Sequence, residues 1–255
     1  MTKIKFGTDG WRAIIAKEYT VDNVKRVSEG TAKWMKSKGY TKVVIGHDCR
    51  FAGEMFAHTA TQVFGSYGIE VLLAEGFVST PMVSLGVVKL KADLGVVITA
   101  SHNPPSYNGF KLKSKFGGPT IPKEVAEVET MIPDRVITEL PALDKMKADG
   151  SLKIVDLEQI YIDHVEANFD LPMIRKSGVK LAYDAMYGAG QNAMKRLLPD
   201  SVFLHCDHNP SFRGQAPEPI HRNLLELSKT IKNDSTIDAG SVSYTHLTLP
   251  TILRV

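Results

Sequence analysis

Short runs of consecutive apolar residues alternate with longer stretches whose apolar residues recur every three or four positions, over most of the chain. The first kind of run reads as a buried strand and the second as an amphipathic helix. Thr20 is placed to cap a helix whose Val21, Val24, Val27, Trp34 and Met35 share one face and which stops at Gly39. Lys42–Gly46 then reads as a strand, Ala52–Tyr67 as a helix halted by Gly68, and Val71–Leu73 as a second strand. Ser79-Thr80-Pro81 opens a further helix, because proline suits the first helical position. Leu94–Ile98 is the most apolar strand, followed by a polar loop and the strand Gly109–Leu112. Repeated strand–helix–strand units predict a largely parallel sheet with helices on both faces.

The rhythm loosens between about Ile132 and Val155, around Pro133-Asp134, Leu140-Pro141 and Asp149-Gly150-Ser151. It resumes with a helix at Asp156–Phe169, a strand at Lys180–Asp184, a helix near Ala189–Leu198, a strand at Val202–Leu204 and a helix at Leu224–Ile231. The pattern predicts two three-layer αβα domains with mostly parallel mixed sheets, residues 1–140 and 141–240. Ser241–Val255 breaks the pattern, and Val242–Thr251 resembles the translation of a sequencing-library adapter. Residues 241–255 are therefore expected to be a non-native tail.

Composition narrows the class. The 255 residues carry 31 Lys+Arg against 28 Asp+Glu, a formal charge of +3 with no basic run that would follow a phosphate backbone, so nucleic acid is not expected as a partner. With 43% hydrophobic and 23% charged residues the chain can build a core. The two cysteines, Cys49 and Cys206, are too few for a disulfide scaffold or a thiolate zinc site. Apolar stretches of strand length and the absence of an apolar leader point to a cytoplasmic protein with no membrane association.

In an open parallel sheet, ligands bind beyond the carboxyl ends of the strands. The richest such loop is Thr99-Ala100-Ser101-His102-Asn103-Pro104, which continues through Asn108-Gly109-Phe110-Lys111. It presents a hydroxyl, an imidazole and a carboxamide in succession, with a lysine in reach, and lacks the G-x-S-x-G elbow of acyl-transfer hydrolases. A phosphorylated Ser101, with its dianionic charge and acceptor oxygens, would suit that donor-rich setting. Phe6-Gly7-Thr8-Asp9-Gly10-Trp11-Arg12 and Gly46-His47-Asp48-Cys49-Arg50 add Arg12 and Arg50, whose planar forks match a phosphate.

These three loops resemble signatures of the α-D-phosphohexomutases, the phosphoglucomutases, phosphomannomutases and their amino-sugar relatives. Asp184-Ala185-Met186-Tyr187-Gly188-Ala189-Gly190 and Pro217-Glu218-Pro219 with Asn223-Leu224 resemble further blocks in the same order. The likeness runs from Phe6 to about Gly240.

The resemblance implies a phosphoserine at Ser101 that exchanges a phosphoryl group with a hexose phosphate through a bisphosphate intermediate. It implies that Arg12 and Lys111 handle protons and stabilise charge, that His102 orients the phosphoserine or sugar, and that Arg50 and Asn103 help bind phosphate. It implies Mg2+ on a phosphoserine oxygen, hexose 1,6-bisphosphate as activator and a phosphohexose as substrate. The family's D-G-D-x-D-R metal loop is expected just after Ile237-Asp238-Ala239-Gly240, where this sequence reads Ser241 onward, and the family's third and fourth domains are not expected in this chain. The chain as written is therefore expected to be a poor catalyst, and a non-catalytic phosphate-binding fragment is the alternative. Gly188-x-Gly190-x-x-Ala193 with Asp207 suggests a nicotinamide-dependent oxidoreductase as a weaker one, although Ala185-Met186-Tyr187 lengthens the turn. The remaining histidines have no metal-ligand spacing, and Trp11 and Trp34 read as packing residues.

Overall fold

The computed structural model describes residues 3–7, 10–244 and 248–249. β1 (Trp11–Ile14) leads to α1 (Val21–Ser37), β2 (Lys42–His47), α2 (Gly53–Ser66), β3 (Glu70–Ala74), α3 (Thr80–Lys89), β4 (Leu94–Ile98) and β5 (Tyr107–Ser114). Then come α4 (Pro122–Met131), α5 (Leu143–Ala148), β6 (Leu152–Val155), α6 (Leu157–Asn168) and α7 (Leu171–Lys176). The second unit holds β7 (Leu181–Asp184), α8 (Gln191–Leu197), β8 (Val202–Leu204), α9 (Leu225–Asn233), β9 (Ala239–Ser243) and β10 (Thr248–Leu249).

The first sheet has the order β1-β5-β4-β2-β3-β6. Its strands β4, β2, β3 and β6 run parallel, whereas β5 is antiparallel to β4 and β1 to β5. All five residues of β4 are buried, as a strand covered on both faces must be. One face packs Val43, Ile45, Val96 and Ile98 against Val24, Val27 and Trp34 of α1 and Phe56 and Phe64 of α2. The other packs Val44 and Val97 against Met82, Val83 and Val87 of α3 and Leu157 of α6, and that cluster reaches Ala193 and Leu197 of α8. Each such side chain contributes about 1.5–3 kcal/mol by leaving water. The α1 start is set by Thr20, extended at φ −116°, whose hydroxyl accepts from Asn23 N at 3.2 Å. The second sheet has the order β10-β9-β7-β8, with β9, β7 and β8 parallel and β10 antiparallel. Its inner face packs on Leu227 and Ile231 of α9.

The architecture is the mixed α/β one the alternation predicts, but four strands differ. β1 occupies part of what reads as a loop, because Trp11 and Ala13 are buried while Arg12 and Ile14 are not, a period too short to stand out. β5 begins two residues before Gly109. β6 lies beyond residue 140 yet hydrogen-bonds to β3, so the first sheet takes in part of the stretch assigned to the second domain. As an edge strand with two exposed residues among four, β6 carries little apolar signal. Residues 241–243, assigned to the tail, complete β9 beside β7, with Val242 buried. The rest of the predicted tail, apart from Tyr244 and the backbone of 248–249, lies outside the described residues, as do Thr8 and Asp9. No helix among the described residues is long and apolar enough to cross a membrane.

Candidate active site

Parallel β2 and β4 deliver two loops to the same end of the first sheet, and antiparallel β5 and β1 bring Lys111 and Arg12 alongside. Ser101 follows β4 by three residues and sits in the left-handed region at φ +56°, uncommon for a residue with a side chain. Its N–H donates to Thr99 Oγ1 at 3.0 Å, and the Thr99 hydroxyl donates to Asp48 Oδ2 at 2.5 Å. Ser101 Oγ lies 3.4 Å from His102 Nδ1. Ser101 is 1% exposed, whereas His102 is open to solvent.

Arg50, expected to bind phosphate, has a different task. Its Nη1 donates to the carbonyls of Pro104 at 2.9 Å and Tyr107 at 3.1 Å, and its Nη2 to those of Ser101 and Asn103, both at 2.7 Å. The four terminal N–H groups are thereby committed to the backbone of the serine loop, leaving none for a substrate. Its Nε faces Asp48 Oδ2 at 3.4 Å as an ion pair without hydrogen-bond geometry, and Asp48 Oδ1 accepts from Arg50 N at 2.9 Å. Burial pushes the Asp48 carboxyl above its ordinary range, opposed by the Arg50 charge and the Thr99 bond. Burial likewise lowers the Arg50 guanidinium, opposed by Asp48.

Arg12 and Asn103 do meet: Arg12 Nη1 donates to Asn103 Oδ1 at 3.0 Å. Arg12 is in register with Gly109, where a Cβ would lie 2.5 Å from Thr99 O, 2.8 Å from Trp11 O and 3.1 Å from Arg12 Cγ. Only glycine lets β1 and the start of the serine loop close on β5 there. Lys111 is wholly buried on β5, in register with Val97 and on the sheet face opposite Phe110 and Leu112. Gly10, just before β1, packs against it, since a Cβ there would sit 2.7 Å from Lys111 Cγ. The structure thus gathers Ser101, His102, Asn103 and Arg12, sets Lys111 on the adjoining strand, and turns Arg50 into a clamp.

Asp48 and Thr99 escaped the sequence reading. Their signal was adjacency: each lies within a motif already singled out, but no sequence pattern says that they bond across 51 positions. In the second unit, buried Asp184 accepts through Oδ1 from Met186 N at 2.8 Å and pairs with His205 Nδ1 at 2.9 Å, while His205 Nε2 meets Glu226 Oε2 at 3.2 Å. The bond to Asp184 holds the imidazole pKa above its ordinary value, against partial burial. His205 borders a cavity of about 500 Å³ together with Tyr187, Phe212, Arg213, Arg222 and Glu226, and Ser101 is not among the residues lining it.

The dinucleotide-like glycines have a packing role. A Cβ on Gly190 would collide with Ser243 Oγ and lie 2.5 Å from Tyr183 Oη, and one on Gly188 would lie 3.1 Å from the Tyr244 backbone. Both positions are filled by the chain, not left open for a pyrophosphate, and Asp207 pairs with Arg213 at 3.7 Å. No group of three or more His, Cys, Asp or Glu side chains able to hold a metal occurs among the described residues.

Two family profiles match the chain: phosphoglucomutase/phosphomannomutase, alpha/beta/alpha domain I, over residues 3–136, and domain II of the same family over residues 159–243. A Methanosphaera stadtmanae protein described as a probable phosphoglucosamine mutase is 31% identical over 231 residues, covering 89% of this chain and 50% of the relative. A phosphoglucomutase of Neisseria meningitidis is 31% identical over 227 residues, covering 87% and 47%. A solved structure from Thermus thermophilus, described as a putative phosphomannomutase, superposes with a TM-score of 0.88 at 30% identity, covering 96% of this chain and 55% of that one. The chain spans about half the length of the curated relatives it matches.

Proposed function

The chain belongs to the phosphoglucomutase/phosphomannomutase family, and from that membership we propose that Ser101 is the phosphoryl carrier of a phosphohexomutase. The observation that carries the reading is the backbone of Ser101. A left-handed serine at the end of a central parallel strand, in a loop clamped at four carbonyls by Arg50, is held in place before any substrate arrives.

In the proposed reaction the bond from Ser101 Oγ to phosphorus breaks as a hydroxyl oxygen of the hexose phosphate bonds to that phosphorus. The sugar hydroxyl gives up its proton to a base, and the seryl oxygen regains one. The resulting bisphosphate turns over in the site and returns its other phosphoryl group to Ser101 by the reverse step. Charge neutralisation and alignment supply most of the acceleration in such transfers. Arg12, oriented by Asn103, sits beside the loop to neutralise phosphate charge, and Lys111 is assigned the proton transfer from its buried place on β5. His102 Nδ1, near Ser101 Oγ, orients the phosphorylated side chain. With Ser101 1% exposed, transfer requires the cover over its hydroxyl to part.

The resemblance implies Mg2+, a Lewis acid that would neutralise phosphate charge. Magnesium demands an octahedral set of oxygen ligands. A seryl phosphate would supply one of these, and Asp48, the carboxylate bonded into this loop, has its oxygens taken by Arg50 N and Thr99 Oγ1. The described residues do not make a complete magnesium site, and no step above passes through one. A hexose 1,6-bisphosphate activator and a cytoplasmic setting belong to the same proposal, and the motifs are common to glucose, mannose and glucosamine mutases.

The test is intact-mass analysis of the chain after incubation with glucose 1,6-bisphosphate. Gain of one phosphoryl group, localised to Ser101 by peptide mapping and absent in Ser101→Ala, supports the carrier. No uptake leaves a phosphate-binding fragment.

A further inference from the structure

Arg50 has a second partner besides the serine loop. Its guanidinium carbon lies 5.1 Å from the ring centre of Phe212, a residue of the second unit. Phe212 is 1% exposed and sits in the left-handed region at φ +49°, followed by Arg213 at +50°. Its N–H bonds to Asn209 O at 3.0 Å, so a tight turn between β8 and α9 holds the ring in place. A residue kept in a strained conformation and wholly buried is over-determined by its surroundings. Two further contacts join the units beside it: His208 stacks on Phe77 with ring centres 5.5 Å apart, and Gln191 Nε2 donates to Cys49 Sγ at 3.6 Å. The neighbour of Arg50 in sequence thus touches the second unit, and its cover in space belongs to it.

We propose that Phe212 is a positioning residue: its ring seats the Arg50 guanidinium, and through that plane the second unit fixes the backbone of the Ser101 loop. The guanidinium edge is used up by four carbonyls, so its face is what remains for the second unit to grip. A desolvated cation over an aromatic face is held more tightly than an exposed one, and Arg50 is 2% exposed. The arrangement makes the order of the serine loop depend on how the two units are seated. The consequence for phosphoryl transfer rests on Ser101 being the carrier; the mechanical coupling does not.

Hydrogen exchange read by mass spectrometry on the full chain tests the coupling. The reporters are the amides of Ser101, Asn103 and Tyr107, bonded to Thr99 Oγ1, Ala100 O and Pro104 O. Phe212→Leu keeps apolar bulk and removes the ring. It is expected to speed exchange at these amides roughly three- to thirty-fold, the range a cation–π contact spans. In an Arg50→Lys background the same substitution should add less than about two-fold, because neighbours acting through one another are not additive. Wild-type exchange in Phe212→Leu, or an undiminished effect in Arg50→Lys, overturns the proposal. If circular dichroism shows Arg50→Lys unfolded, Phe212→Tyr takes its place: exchange within about two-fold of wild type supports the ring contact, and leucine-like exchange overturns it. Phosphoryl uptake on Ser101, measured separately, decides the carrier reading without touching this one.

Discussion

Arg12 Nη1 and Asn103 Oδ1 meet at 3.0 Å across 91 positions, joining an antiparallel edge strand to the serine loop. The bond holds a guanidinium fork against the loop that carries Ser101. Arg12→Lys keeps the charge but loses the fork, and Asn103→Ala keeps the fork but removes this bond to it. Each is expected to slow phosphoryl uptake on Ser101 about ten- to a hundred-fold, as loss of a charged hydrogen bond worth about 1.5–3 kcal/mol implies. Uptake quenched at timed intervals and read by intact mass measures it, and unchanged rates in both variants would remove Arg12 from the site.

Ser101→Ala should take up no phosphoryl group and, in a protein extended to its relatives' length, show almost no mutase turnover. Lys111→Ala in that extended protein should cost about 10²–10⁴-fold in kcat if the amine transfers a proton. Turnover with glucose 1-phosphate, coupled to glucose 6-phosphate detection, checks both. A wild-type rate in Ser101→Ala would rule out the covalent route.

Removing the clamp should be felt as stability as well as chemistry. Arg50→Ala strips four carbonyls of their donors and leaves the Asp48 carboxylate buried without its cation. Breaking one side of a buried pair costs about 3–5 kcal/mol. Urea denaturation of the full chain should show a loss of that order, and a change below about 1 kcal/mol would mean that the loop holds itself.

His205 supplies a pH dependence. Its folded pKa is raised, chiefly by the bond to Asp184. A raised folded value means that its stabilisation is complete below the ordinary imidazole value of about 6.5 and disappears as pH climbs through the folded value. Thermal unfolding of the chain should therefore move to lower temperature as pH rises from about 6.5 through that raised value. His205→Asn should flatten that slope and lose stability mainly at the acid end. An identical pH slope in the variant would assign the dependence to another group.

Much of this was legible in the residues. Strand β4 is apolar at every position because both of its faces are covered, and α1 announces itself through Thr20 and the spacing of Val24, Val27 and Trp34. Ser101, Arg12 and Lys111 stood out because their chemistry is written in contiguous motifs. Edge strand β6 did not stand out, because its partner β3 is remote in sequence and half of its side chains face water.

Local pattern was enough for the alternation of strands and helices, the mixed α/β class and the serine loop, since helix caps, apolar periodicity and short motifs act between near neighbours. The role of Arg50 is of another kind. The same guanidinium can bind a substrate phosphate or four carbonyls and a phenyl face, and which it meets depends on where chain segments more than fifty and more than a hundred and fifty positions away come to rest. Long-range packing, which brings β5 beside β4 and Phe212 onto Arg50, made that choice.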